Sequence, residues 1–102
     1  MTDQSDIDAI LSGPFSMQVV DVFSIKGRGT VVTGQVASGV IRVGDPLMIE
    51  GAGQPVPTSC TGLEMFRKVL DHAAKGDNVG IMLDGIEHDQ VSQGDWLRAK
   101  AW

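Results

Sequence analysis

The sequence predicts an all-β fold, a closed, Greek-key-like antiparallel barrel of six to seven short strands. Three observations predict it. Apolar residues alternate or cluster in runs of four to eight, and glycine, proline or Gly-Asp interrupts them. A Gly-Asp pair recurs as Gly44-Asp45, Gly76-Asp77 and Gly94-Asp95, each time just before an apolar run. Helical periodicity is weak from end to end. Short antiparallel strands at this spacing are best accommodated by closure, which removes exposed edges.

The elements follow in order. Residues 1–14 read as a leader and residues 15–102 as the barrel. The leader is expected to be partly disordered or to form a short helix: Ser5 to Leu11, with Ile7, Ile10 and Leu11 on one side, can make two turns, ended by Ser12-Gly13-Pro14. Phe15 to Ile25 reads as one long strand with Phe15, Met17, Val19, Asp21, Phe23 and Ile25 on one face. Asp21 interrupts that apolar face, so a bulge or a functional exposure is expected near it. Lys26-Gly27-Arg28-Gly29 is a tight reversal, since glycine tolerates positive φ. Thr30 to Ala37 is the second strand, and Ser38-Gly39 turns into Val40–Val43.

Leu47 to Glu50 is the next strand, and the breakers of Gly51–Pro57 argue against regular structure there. Thr58 to Leu70 is strand-like. Val69 to Lys75 has a helix-compatible composition but meets Gly76-Asp77 at once, so it is read as strand end plus turn. Asn78–Leu83 and Trp96–Ala99 complete the barrel, with one helical turn expected in Asp89–Gln93. The aspartates of the Gly-Asp pairs are read as turn stabilisers that accept bonds from following N–H groups.

Composition narrows the function. The chain has 102 residues, 8 basic against 13 acidic, and a formal charge of −5. Without the leader's Asp3, Asp6 and Asp8, 8 basic residues still face 10 acidic ones. No broad positive field exists to attract a phosphate backbone; folding could gather Lys26, Arg28, Arg67 and Lys68 into a local basic patch, but composition alone favours reading them as solvated charges. The single Cys60 cannot staple a fold or build a multi-cysteine zinc site. No apolar run approaches the roughly 20 residues of a membrane span, and no signal-peptide pattern is visible. A reduced, cytoplasmic protein is expected.

Catalytic signatures fail in turn. Gly29-Thr-Val-Val-Thr-Gly34 has phosphate-loop spacing, but Gln35-Val36 stands where Lys and Ser/Thr are needed. Gly27-Arg-Gly29 does not continue to a third glycine, because Val32 takes its place. His72 and His88 lie outside any metal-ligand pattern, and no serine or cysteine has a base at a persuasive position. No enzyme, no cofactor, no metal and no GTP binding by this chain are expected.

One resemblance is specific. Asp21-Val-Phe-Ser-Ile-Lys-Gly-Arg-Gly-Thr-Val-Val-Thr-Gly34 resembles the second domain of elongation factor Tu and related translational GTPases. Gly39–Asp45, Thr61-Gly-Leu-Glu-Met-Phe-Arg-Lys68, Gly76-Asp-Asn-Val-Gly80 and Gln93-Gly-Asp-Trp-Leu97 continue it in order and at nearly the family's spacing. The resemblance implies a closed β-barrel that helps hold the aminoacylated 3′ end of transfer RNA. It places a terminal-adenine pocket on Ile25, Gly27, Val31 and Met82 with Glu64 beside them. It places Phe66, Arg67 and Asn78 near the aminoacyl ester, and Asp21 and Thr33 at the edge of the amino-acid pocket. Val20 stands where the family usually has an acid.

No lysine-bearing phosphate loop or guanine-reading motif accompanies the barrel, and a leader unlike the family's linker suggests a stand-alone domain. The expected function is a non-catalytic, translation-related binding module for the aminoacyl or CCA end of transfer RNA. The alternative is a protein-interaction module that docks on a GTPase or another partner. Exposure of Val20 and Trp102 would favour that alternative.

Overall fold

The computed structural model describes residues 13–100. The expected leader helix and Trp102 lie outside the described residues. Ten strands follow one another: β1 Ser16–Gln18, β2 Asp21–Ile25, β3 Gly29–Ser38, β4 Val40–Arg42, β5 Pro46–Glu50, β6 Val56–Met65, β7 Lys68–Leu70, β8 His72–Ala74, β9 Asn78–Leu83 and β10 Trp96–Ala99. A 3₁₀ turn at His88–Gln90 is the only helical element among the described residues.

Six strands close the barrel in the order β1-β10-β5-β6-β9-β3, and β3 pairs back to β1. Every pairing is antiparallel. Two short strands flank this ring, β2 on β3 and β7 on β6, while β4 and β8 form a separate ribbon. Met17, Val32, Ile41, Leu47, Leu63, Ile81 and Leu97 are fully buried at its centre. Cys60 is buried with them, and burial pushes its thiol up to about 11. No helix among the described residues is long and apolar enough to cross a membrane.

The expected strand Phe15–Ile25 is two strands. Phe15, Met17 and Val19 point into the core, but Val20 and Asp21 are both exposed and the inward parity resumes at half-buried Val22. Val19 still bonds toward β10, donating to the Asp95 carbonyl and accepting from the Gly94 N–H, both at 2.8 Å. Val20 instead donates to the Thr33 carbonyl at 2.8 Å, and Asp21 is also registered with Thr33. Two residues facing one is a β-bulge, which kinks the strand and flips its faces. Asp21, Phe23 and Ile25 therefore leave the face of Phe15, Met17 and Val19 and look outward.

Three other expectations are corrected. Thr58–Leu70 is a hairpin whose tip is Phe66-Arg67, between the pair Met65↔Lys68. Val56 and Pro57, expected in a loop, begin β6; pairing with β9 starts only at Cys60, so Pro57 sits where β6 has one neighbour and its missing N–H is tolerated. The turn aspartates accept from a preceding N–H rather than a following one. Asp45, Asp77 and Asp95 take the N–H of Arg42, Ala74 and Ser92 at 2.9, 3.0 and 2.9 Å. Each aspartate's own N–H returns to the carbonyl of the same residue. The glycine before each has φ of +94 to +99°, so the three copies are one turn used three times.

Closure places β1 against Gly34. A Cβ built there would lie 2.4 Å from the Gln18 carbonyl oxygen and 3.2 Å from Met17. Gly34→Ala is expected to destabilise the domain by about 1–3 kcal/mol through overpacking. Gly53→Ala, where nothing lies within 4 Å, should shift stability by less than about 0.5 kcal/mol. Urea denaturation of both variants checks this; equal midpoints would refute it.

Candidate functional site

Of the residues singled out from the sequence, Asp21, Ile25, Val31, Thr33, Glu64, Asn78 and Met82 lie on the outer face of β2, β3, β9 and β6, while Gly27 sits in the β2–β3 loop and Phe66 and Arg67 at the β6–β7 tip. Alternation sets the face. Val32 and Ile81 point inward, so Val31 and Met82 point outward and sit directly opposite each other. Phe23 lies opposite Val31 on the other side, which makes a row Phe23–Val31–Met82, and Gly62 extends it on β6. The next row runs Asp21–Thr33–Gly80–Glu64 and ends at Val69 on β7. Gln35 and Asn78 form a third row.

Register on β6 depends on a second irregularity. Cys60 pairs with Leu83 and Gly62 with Met82, leaving Thr61 extra. That bulge lets Cys60 and Leu63, three apart, both enter the core, and it turns Glu64 outward beside Gly80. Gly62 makes room for the thioether: a Cβ there would be 3.0 Å from both Sδ and Cε of Met82.

The proposed adenine residues Val31, Met82 and Ile25 make an apolar strip. Val31 is buried, Met82 half-buried and Ile25 exposed at the end of β2. Gly27 lies in the loop beyond, with φ +83° and the Arg28 N–H bonded to the Ile25 carbonyl at 2.9 Å, the geometry of a turn that requires glycine at its third position. The residues that the resemblance assigns to the aminoacyl end sit further along. Thr33, Glu64, Phe66 and Asn78 line, with Val20 and Gly80, a shallow depression of about 310 Å³. Ile25, Gly27, Val31 and Met82 do not line it; Glu64 stands between strip and depression.

Two residues were missed as site candidates. Phe23 completes the apolar row, and the period-2 alternation with Asp21 and Ile25 was the signal for it. Arg28 donates from Nη1 to Glu64 Oε1 at 2.8 Å, with side chains 48% and 32% exposed. Glu64 therefore has an ion-pair partner from the β2–β3 loop, 36 positions away in the chain. Among the described residues, no group of three or more His, Cys, Asp or Glu side chains is placed to hold a metal ion.

The chain matches the family model described as elongation factor Tu domain 2 over residues 29–98. The chain belongs to the elongation factor Tu domain 2 family. The match begins at the first residue of β3 and runs into β10. It contains Val31, Thr33, Glu64, Phe66, Arg67, Asn78 and Met82, while Asp21, Ile25 and Gly27 precede it. The family is a non-catalytic β-barrel domain of translation factors, and the observed six-stranded closure is that fold.

The β6–β7 tip carries strain. Phe66 and Arg67 have φ of +51° and +68°, and they are the two non-glycine residues with positive φ among the described residues. A two-residue hairpin with both central residues in this region favours Asn-Gly. Phe66 is 85% exposed, so packing does not explain its choice. Replacing Phe66-Arg67 by Asn-Gly is expected to raise stability by about 1 kcal/mol. A urea midpoint unchanged or lowered in the double variant would show that the tip is not strained.

Proposed function

We propose that this chain is a non-catalytic, translation-factor-like binding module whose β2–β3–β9–β6 face receives the adenosine end of an aminoacyl-RNA. One observation carries the reading. Residues from separate segments, Ile25, Val31, Glu64, Asn78 and Met82, share one outer face, as an apolar strip bordered by a carboxylate with an amide one row beyond it. Aliphatic side chains cover the face of a base, glycine at 27 lets backbone approach, and Glu64 accepts a bond from a sugar hydroxyl or base edge. Thr33, Phe66 and Asn78 then border the aminoacyl end, with Asp21 and Arg67 nearby.

Binding is weak on this reading. One stacked base contributes about 1–3 kcal/mol, and ordering a free fragment offsets much of it. A short CCA oligonucleotide is expected to perturb the amide signals of Glu64 and Asn78 at about millimolar concentration, with little response to salt because few phosphates are neutralised. Glu64→Ala should weaken it about three- to tenfold, the scale of one hydrogen bond. No perturbation of these amides by millimolar CCA refutes the reading.

A second reading has its own support. Val20, Phe23, Phe66 and Val69 are exposed apolar residues around the same face, and such a patch suits a protein partner such as a GTPase. Perturbation of Val20, Phe23 and Val69 by a translational GTPase domain, with none by CCA, would favour it. GTP itself is not a ligand on either reading, because no lysine-bearing phosphate loop is present. Calorimetry with GTP up to about 1 mM should give no saturable heat; a saturating isotherm would overturn this.

A further inference from the structure

We propose that Arg28 is a specificity-determining residue of this face: moored on Glu64, its guanidinium lies over the Val31–Met82 strip and forms the second surface against which a purine ring stacks. The proposal rests on the adenosine reading given above. Its geometry comes from the register. Arg28 immediately precedes Gly29, which pairs with Ile25, one step beyond the pair Thr30↔Leu83. Glu64, which Arg28 reaches, is registered with Gly80. Met82 lies between those two levels on β9, opposite Val31. A side chain running from Arg28 to the Glu64 carboxylate therefore passes the level of the apolar strip.

The mooring leaves the guanidinium available. Only Nη1 is engaged, at 2.8 Å to Oε1, and neither side chain has another hydrogen bond or ion pair among the described residues. Arginine has five N–H donors and a carboxylate about four acceptor positions. The guanidinium plane thus keeps a free face while one edge is held. Arg28 stands between Gly27 and Gly29, at φ +83° and +86°, where an added Cβ would meet nothing within 4 Å. Approach to the loop is open on both sides. A half-exposed ion pair is also cheap to adjust as a ligand enters.

Charge decides what Arg28 receives. With Ser24 and Thr61 it lines a second depression of about 350 Å³, which also contains Asp84 and Glu87. Asp84 and Glu87 share that depression with Arg28, whose Nη1 is already held by Glu64, so the depression's charge is net negative and disfavours a phosphate. A neutral base is not disfavoured, and planar guanidinium stacks on aromatic rings. The ligand class this selects is an uncharged purine nucleoside end.

The test is a titration of the ¹⁵N-labelled chain with adenosine, using ribose as the sugar-only control. Adenosine, and not ribose, is expected to shift the Arg28 side-chain Nε–H signal upfield by ring current. Arg28→Ala should weaken adenosine about three- to fivefold, the scale of an exposed cation–π contact, with backbone signals away from the loop unchanged. Arg28→Lys keeps the charge but not the plane and should not restore affinity. If adenosine still perturbs Glu64 and Met82 but Arg28→Ala leaves affinity unchanged or raises it, the stacking role is overturned and the adenosine site stands. Full rescue by Lys also overturns it, leaving only a charge effect. If adenosine perturbs neither Glu64 nor Met82, the site reading fails and this inference fails with it.

Discussion

The third strand serves two neighbours on one edge, and the rest of the architecture depends on how it divides them. Its first half, Gly29 to Thr33, pairs with β2, and its second half, from Val36 to Ser38, pairs with β1. A single stretch of chain, Phe15 to Ile25, supplies both partners. It must therefore leave β10 midway while staying on the edge of β3, and it does so within Val19-Val20-Asp21. This path brings the Gln18 carbonyl over Gly34, where no Cβ fits. Barrel closure through β1 and the outward face of β2 are thus consequences of one bulge and one missing side chain.

That division also explains where the site lies. Had Phe15–Ile25 continued as one regular strand, Phe23 and Ile25 would stay on the face of Met17 and Val19, in the core. The one-residue flip moves them outside, beside Val31 and Met82. The bulge at Thr61 acts similarly on β6, leaving Leu63 inside and Glu64 outside. Two bulges on separate strands thus bring an apolar strip and a carboxylate to the same surface. The same six-stranded ring without them would bury or scatter these groups.

Much of the fold was legible because its punctuation is chemical. The three Gly-Asp turns, Gly39 and the Lys26–Gly29 reversal announce themselves by residue type, and Asp21 in an apolar face marked the first bulge. What was illegible lacked such marks. Phe66-Arg67 contains no glycine, asparagine or proline, so a tight hairpin there could not be read, and Thr58–Leu70 looked continuous. Pro57 looked like a breaker because a sequence does not reveal that β6 has one neighbour at that point. The candidate site was legible residue by residue through resemblance, but its electrostatics were not. The partner of Glu64 is Arg28, which no local pattern links to it, and composition alone had made Arg28 an ordinary solvated charge.

The charge balance then separates affinity from selectivity. A binder of long RNA gains most of its affinity from neutralised phosphates, and that gain is strongly salt-dependent. This barrel cannot draw on it: the formal charge is −5, and Arg28, the cation at the edge of the strip, is already shared with a carboxylate. On the proposed reading what remains is stacking and a hydrogen bond or two, which together would support weak, local recognition of a chain end rather than capture of a polymer. On the same reading such a surface discriminates by what the end carries, since an uncharged base would meet apolar side chains while a phosphate would meet the carboxylates of Glu64, Asp84 and Glu87. Weak intrinsic affinity is also what a barrel needs if it acts beside other contacts on the same RNA or partner, because a linked second contact multiplies affinity without demanding more from this one.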